Sequence, residues 1–241
     1  MDTSKKPRLS VITPTYNRVV FLPDMIKSVQ EQTFKDWELI IVDDGSTDST
    51  AELMEYYTKS DPRIKYFRRS KNLGIAISRN EACEKAEGDI IVIADSDDIQ
   101  MPGRFAAIDK YFKAHKEADI VYHRMFVCTL AMVIVGQIGT DNFDMDEMLE
   151  AQTIPQPTLS YKKKVWEKVK YNPKAKYGED WEWLINCGLE GFKFKSMKKV
   201  LVKYREHNEG SRLAKAEFVK KYDEKMIKAM RVRWEKIKKK S

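Results

Sequence analysis

Two carboxylates one residue apart, Asp95-Ser96-Asp97, follow a short apolar run from Asp89 to Ala94. Where a strand breaks, side chains at i and i+2 can turn to one side. Hard oxygen ligands placed in that way suit Mg²⁺ or Mn²⁺ that also holds phosphate oxygens. A solvated acidic turn is the competing explanation, and the apolar run directly ahead favours the metal. A second pair, Asp43-Asp44, ends another apolar run, Glu38 to Val42, and leads into Gly45-Ser46. A carboxylate there can accept from a base N–H or a ribose hydroxyl. Ser46, Asp48 or Ser49 would cap the helix that follows. A third pair, Glu179-Asp180, opens a predicted helix from Trp181 to Leu189. Acidic residues favour a helix start through the dipole alone, and the chemical reading is a general base. His207, within Tyr204-Arg-Glu-His-Asn-Glu-Gly-Ser211, is a metal ligand, a phosphate contact or a plain loop histidine. His115, after an amphipathic helix, and His123, inside a strand, are incidental. Trp166, Trp181, Trp183 and Trp234 read as core or interface, although Trp181 and Trp183 lie next to the third pair, where they could stack on an acceptor.

The elements that must position these residues follow from periodicity. Leu9 to Thr13, Glu38 to Val42, Ile64 to Phe67, Asp89 to Ala94 and Ile120 to Phe126 are short, apolar and β-branched, as buried strands are. Between them, Leu22, Met25, Ile26 and Val29 share a helical face, with Pro23 in its first turn. Ser49 and Glu52 have capping-box spacing ahead of Leu53, Met54 and Tyr57. A helix runs from Ile75 to Ala86, and another opens at Pro102 with Phe105, Ile108 and Phe112 on one stripe. This alternation predicts an α/β fold with a Rossmann-like, mostly parallel sheet covered by helices on both faces. Ligands bind outside the carboxyl ends of such strands, and Thr13 to Tyr16, Asp43-Asp44 and Asp95 to Asp98 all fall there. After residue 127 the alternation fades. The eleven-residue apolar run Met125 to Val135 is shorter than the roughly 20 residues a span needs and predicts a buried strand or strand pair.

The chain has 241 residues, 42% of them hydrophobic and 34% charged, which is compatible with a packed core and not with wholesale disorder. Cys83, Cys128 and Cys187 are far apart and odd in number, which argues against a disulfide framework or a cysteine zinc site. With a polar N-terminus that does not resemble a signal peptide, the expected location is cytoplasmic, with peripheral contact at a membrane as the alternative. Residues 212–241 hold twelve basic and four acidic side chains, so the net +7 is a property of the tail, and the body sums to −1. That placement, and the lack of a recognised binding motif, argue against a nucleic-acid binder. In the tail, Val219, Tyr222, Met226, Met230, Trp234 and Ile237 recur at helical spacing. The stripe suits either an anionic membrane surface or packing on the protein itself.

Taken together, the chain resembles the family 2 glycosyltransferases of GT-A fold. The resemblance rests on Ser10-Val-Ile-Thr-Pro-Thr-Tyr-Asn-Arg18, Trp37-Glu-Leu-Ile-Ile-Val-Asp-Asp-Gly-Ser-Thr-Asp48, Asn72-Leu-Gly74, Ser78-Arg-Asn80, Gly88 to Asp98, Gly178-Glu-Asp180 and Tyr204-Arg-Glu-His207. It implies a GT-A domain over 1–211, with a nucleotide-sugar half at 8–98 and an acceptor half at 99–211, and a helical tail at 212–241. Pro14, Tyr16 and Asp44 would hold the nucleoside, and Arg79 would line the donor pocket. Asp95 would meet ribose or metal-bound phosphate, Asp97 would bind Mn²⁺ or Mg²⁺, His207 would ligate that metal or contact the diphosphate, and Asp180 would be the base of an inverting transfer. The resemblance also implies a nucleotide-sugar donor, a UDP-sugar foremost, and a saccharide or lipid-linked acceptor. A sugar-1-phosphate nucleotidyltransferase shares the scaffold but usually carries a glycine-rich phosphate loop after its first strand, where this chain has Pro14-Thr-Tyr-Asn-Arg18.

Overall fold

A computed structural model describes residues 6–175, 178–207 and 216–239, with backbone only for 216–223. The first half is an alternation of strands β1 (Leu9–Thr15), β2 (Trp37–Asp43), β3 (Ile64–Arg68) and β4 (Ile90–Ile93) with helices α1 (Leu22–Gln30), α2 (Thr50–Ser60) and α3 (Ile75–Lys85). β3, β2, β1 and β4 lie side by side and parallel. Val11, Leu39, Ile41 and Val92 pack under α1, α2 and α4 (Arg104–Ala114), whereas Ile12, Ile40, Val42 and Ile91 face the opposite way, towards α3 and the C-terminal helices. Both faces are therefore covered, which is why these strands read as unbroken apolar runs.

The second half extends the same sheet with a different pairing. It comprises β5 (Ile99–Gln100), β6 (Ile120–Cys128), β7 (Ile134–Ile138), β8 (Ser160–Lys162) and β9 (Phe194–Arg205). The order is β3-β2-β1-β4-β8-β6-β9-β5, with β7 paired to β6. β8 is antiparallel to both β4 and β6, β5 is antiparallel to β9, and only β6 and β9 are parallel. The sheet is thus parallel on the N-terminal side and mixed beyond β4. Helices α5 (Met145–Glu150), α6 (Lys163–Lys168), α7 (Glu179–Leu189) and α8 (Ala216–Lys238) complete the chain.

Two local expectations differ from what is found. Ser49 sits at the start of α2 without a side-chain cap bond. Asp48 takes that work, accepting from Thr50 N at 3.1 Å and Val19 N at 3.2 Å, so it caps the helix and holds the β1 loop together. The Met125–Val135 run forms a strand pair, as β6 and β7, but its second strand is bare. Val133, Ile134 and Val135 are 61, 48 and 60% exposed, because β7 is an edge strand with no layer over it. Trp183 belongs to the core, donating to Val169 O at 2.7 Å and stacking on Tyr171, and Trp181 donates to Met148 O, so both indoles have structural partners. The three cysteines are free and buried.

The tail helix α8 lies on the body. Met226, Met230, Trp234 and Ile237 join the core cluster beneath α7. Trp234 Nε1 donates to Asp146 at 2.9 Å, and Arg231 to Leu149 O at 3.2 Å. The described part of the apolar stripe is therefore used in packing, and the side chains of Val219 and Tyr222 lie outside the described residues. Among those residues, no helix is long and apolar enough to cross a membrane.

Candidate active site

The site is assembled where β1, β2 and β4 end. Pro14 is buried in the last turn of β1, and Tyr16, just beyond it, is 42% exposed. The chain then turns at Asn17, whose φ of 52° is a left-handed value that asparagine tolerates. Asn17 Oδ1 accepts from Thr47 N at 2.8 Å, and Asn17 N donates to Ser46 Oγ at 2.9 Å. These bonds fasten the β1 and β2 loops to each other and leave the Tyr16 ring facing out.

The two aspartates at the end of β2 are largely committed within the protein. Asp43 accepts from Ser46 N and from the Tyr66 hydroxyl. Asp44 Oδ1 accepts from Leu73 N at 2.9 Å and Arg69 Nη1 at 2.9 Å, and Oδ2 accepts from Gly74 N at 2.7 Å. A carboxylate oxygen has two lone pairs, so one position on Oδ2 remains for a donor. Gly74 has φ of 100° and starts α3. A side chain would disfavour that backbone, and with it the amide that reaches Asp44.

α3 carries Arg79 into the centre. Its guanidinium is 3% exposed, donates to Glu179 Oε1 and lies 3.6 Å from Asp95 Oδ1. Burial opposes its charge, but Glu179 and Asp95 more than compensate and hold it protonated. Glu179 is buried, and burial raises its carboxyl above the usual range while Arg79 opposes the shift. Arg79 thus ties the end of β4 to the start of α7. Asp180, next to Glu179, is partly exposed. It accepts from Gln152 Nε2 at 3.0 Å and from Trp181 N at 2.9 Å. Both donors are neutral, so they orient the carboxylate without cancelling its charge.

After β4, Asp95, Asp97 and Asp98 crowd together. Burial pushes the Asp95 carboxyl up to about 6, with Arg79 opposing and Asp97 and Asp180 adding to the rise. Asp98 is fully buried and is raised well above the usual carboxylate range, by burial and by Asp97 and Asp95. Asp97 Oδ2 meets His207 Nε2 at 3.0 Å and Arg18 Nε at 3.5 Å. The His207 ring is 5% exposed and packs on Phe21. Arg205 sets this corner. Its backbone N–H donates to Asp98 at 3.0 Å, its Nε to Asp97 O at 3.1 Å, and its Nη2 to Asp24 of α1 at 2.8 Å.

Of the expected metal set, Asp97 and His207 are brought together, and Asp95 is not. Among the described residues no three His, Cys, Asp or Glu side chains converge as ligands. Asp95 leaves the strand facing α3, where Arg79 is its counter-charge. The donor set nonetheless fits a hard divalent cation. Asp95 Oδ1 and Asp98 Oδ2 are buried without a hydrogen-bond partner, and the neighbouring Asp97 adds to the rise of both carboxyls.

Sequence reading placed Arg79 in the pocket but missed its pairing with Glu179, 100 residues away. It also missed Arg205 and Gln152. Arg205 is half legible, because an arginine two residues before a candidate ligand, in Tyr204-Arg-Glu-His207, is a signal. Nothing around Gln152 marks it.

Comparisons with known proteins identify the family and the fold. The model of the Glycosyl transferase family 2 matches residues 10–145. An uncharacterized glycosyltransferase of Methanocaldococcus jannaschii is 30% identical over 223 residues, covering 90% of this chain and 77% of its own. The GalNAc(5)-diNAcBac-PP-undecaprenol β-1,3-glucosyltransferase of Campylobacter jejuni is 40% identical over 103 residues, 42% of this chain and 33% of the relative. The structure of S. aureus TarS in complex with UDP-GlcNAc superposes with a TM-score of 0.73 at 21% identity, over 86% of this chain and 61% of that one. At that identity the likeness speaks for the fold, which is GT-A. With the family model spanning more than half the chain and a relative at 30% identity matched over 77% of its own length, the protein is a glycosyltransferase and belongs to glycosyl transferase family 2.

Proposed function

We propose that the chain moves a sugar from a nucleotide-sugar donor, a UDP-sugar foremost, to an acceptor hydroxyl by a single inverting displacement that requires Mn²⁺ or Mg²⁺. The observation that carries this reading is the convergence at one end of the sheet of Asp97 paired with His207, Asp95 beside Arg79, and Asp180 held by neutral donors. The exposed Tyr16 ring offers a stacking face for the base, Pro14 shapes the floor beneath it, and the remaining lone pair of Asp44 accepts from a base N–H or a ribose hydroxyl. Arg79 adds a fixed positive charge beside the position of the diphosphate. Asp97 and His207 would hold the cation, which when bound would offset charge on the departing nucleoside diphosphate, and Asp95, beside Arg79, would face the ribose or the metal-bound phosphate. Asp180 takes the proton from the attacking hydroxyl. Glu179 and Asp97 are each tied to a cationic or imidazole partner, so Asp180 is the freest base at this end. The relative that acts on an undecaprenyl diphosphate-linked glycan supports a saccharide or lipid-linked acceptor.

A thermal-shift screen of UDP- and GDP-sugars with and without MnCl₂ tests the proposal, since a ligand specific for the native state raises the melting temperature. The expected result is stabilisation by one UDP-sugar that depends on the cation and is lost in Asp97→Asn. Stabilisation only by nucleoside triphosphates, with pyrophosphate release, would assign the nucleotidyltransferase reaction instead.

A further inference from the structure

The hairpin of β6 and β7 carries four of the large apolar side chains exposed among the described residues. Leu130, Val133, Ile134 and Val135 are 56, 61, 48 and 60% exposed. No charged residue occurs from Met125 to Thr140, and the charges that bracket this stretch, Arg124 and Asp141, pair with each other at 2.6 Å. The turn is ordered: Thr129 N donates to Val133 O and Met132 N to Thr129 O, both at 2.9 Å. A contiguous exposed aliphatic patch of this kind marks an interaction site.

Geometry selects the partner. Successive strand residues point to opposite faces, and the neighbours Ile134 and Val135 are both exposed, so β7 is bare on both faces. A folded partner covers one face of such a fin, whereas a fluid apolar phase surrounds it. Charge points the same way. β9, which pairs with β6 along its whole length, carries Lys195, Lys198, Lys199 and Lys203 and no acidic residue, its remaining cation, Arg205, being buried against Asp24. An aliphatic tip with cations behind it matches the order of hydrocarbon and anionic headgroups met on approaching a bilayer. The hairpin is also anchored to the site, since Arg205 Nη1 donates to Leu130 O at 3.1 Å, Arg205 Nε to Asp97 O at 3.1 Å, and Glu206 N to Cys128 O at 2.8 Å.

We propose that the Leu130–Val135 tip inserts into the interfacial layer of an anionic lipid bilayer and holds the mouth of the active site against it. Docking itself is independent of the chemistry; only its purpose, presenting a lipid-linked acceptor, rests on the function proposed above. The tail helix, whose described apolar face is occupied by the body, is not the docking element.

The test is co-sedimentation of the full chain with vesicles of phosphatidylcholine and phosphatidylglycerol, and with phosphatidylcholine alone, at low salt. The wild type is expected to bind the anionic vesicles more strongly. The Leu130→Ser/Val133→Ser/Val135→Ser variant is expected to lose at least tenfold in partitioning, with an unchanged melting temperature and unchanged donor-dependent thermal shift. Lys236→Gln/Lys239→Gln, exposed residues in the last turn of α8 and just past it, is expected to bind as wild type does. Failure of the wild type to bind anionic vesicles overturns the proposal, as does binding lost in the tail variant and kept in the hairpin variant. Sedimentation velocity reads the remaining alternative: self-association removed by the hairpin substitutions, without vesicle binding, assigns the patch to a second copy and also overturns it. Hairpin-dependent binding without any donor-induced shift would instead count against the glycosyltransfer reading and leave the docking surface standing.

Discussion

At the scale of single residues, the adjacent carboxylates Glu179 and Asp180 are divided by their partners. Glu179 is buried against Arg79, whereas Asp180 is partly exposed and held by amide and backbone N–H groups. Asp180→Asn is expected to lower kcat about 100-fold or more, the range of general-base losses, with donor affinity within about twofold, because the base acts on the acceptor. Glu179→Gln strands a buried guanidinium and is expected to cost about 3 kcal/mol of stability. Urea unfolding of both variants beside donor titrations separates the two roles. Equal loss of donor binding in Asp180→Asn would make it a helix-start residue only. Asp95 yields a pH prediction. Its carboxyl is pushed up to about 6 by burial, with Asp97 and Asp180 adding and Arg79 opposing. A raised folded-state pKa means that the native state binds the proton more tightly than the unfolded chain, so stability falls as pH rises from about 4 to 6. Asp95→Asn is expected to flatten that fall and to raise metal-free stability at pH 7 by on the order of 2 kcal/mol. Melting curves of metal-free protein from pH 4 to 8 check this, and a fall as steep in the variant as in the wild type would refute it.

Elements differ in how openly the sequence declares them. Strands β1, β2 and β4 end in polar clusters adjacent in the chain, so the ends that carry Tyr16, Asp44, Asp95 and Asp97 could be found from hydropathy alone. The pairs Arg79–Glu179 and Arg205–Asp24 could not, because periodicity reports which face a residue occupies and not which distant element covers that face. The same limit explains β7. An apolar run reads as buried whenever its neighbours are apolar, and nothing local reveals that no layer lies above it. Helix α8 was ambiguous for a third reason, since a stripe packed on the body and a stripe facing lipid have the same period. The structure directs its described apolar residues inward. Met230, 6% exposed, is expected to cost about 2 to 3 kcal/mol when changed to Ala, as buried methionines do, and removal of 216–241 is expected to lower the melting temperature sharply. A truncated chain that melts as the full one does would free the helix from this role.

For the whole molecule, the α/β class and parallel core were legible because both faces of β1 to β4 are covered and their residues are correspondingly apolar. The mixed half was not, since β5 and β8 are two and three residues long, too short to carry a period. The contacts that finish the site share one property: they are distant in the chain. Arg205 meets Asp24 across 181 residues, His207 meets Asp97 across 110, and Arg205 N meets Asp98 across 107. Contacts of such separation demand the closure of long loops before they return any stabilisation, which slows folding. On the ribosome, which releases the chain from its N-terminus, the parallel half with Tyr16 and Asp44 can collapse while β9 is still unsynthesised. The newborn protein therefore acquires the outline of a nucleoside pocket before it has the Asp97–His207 corner, and its chemistry is completed only once β9 has arrived.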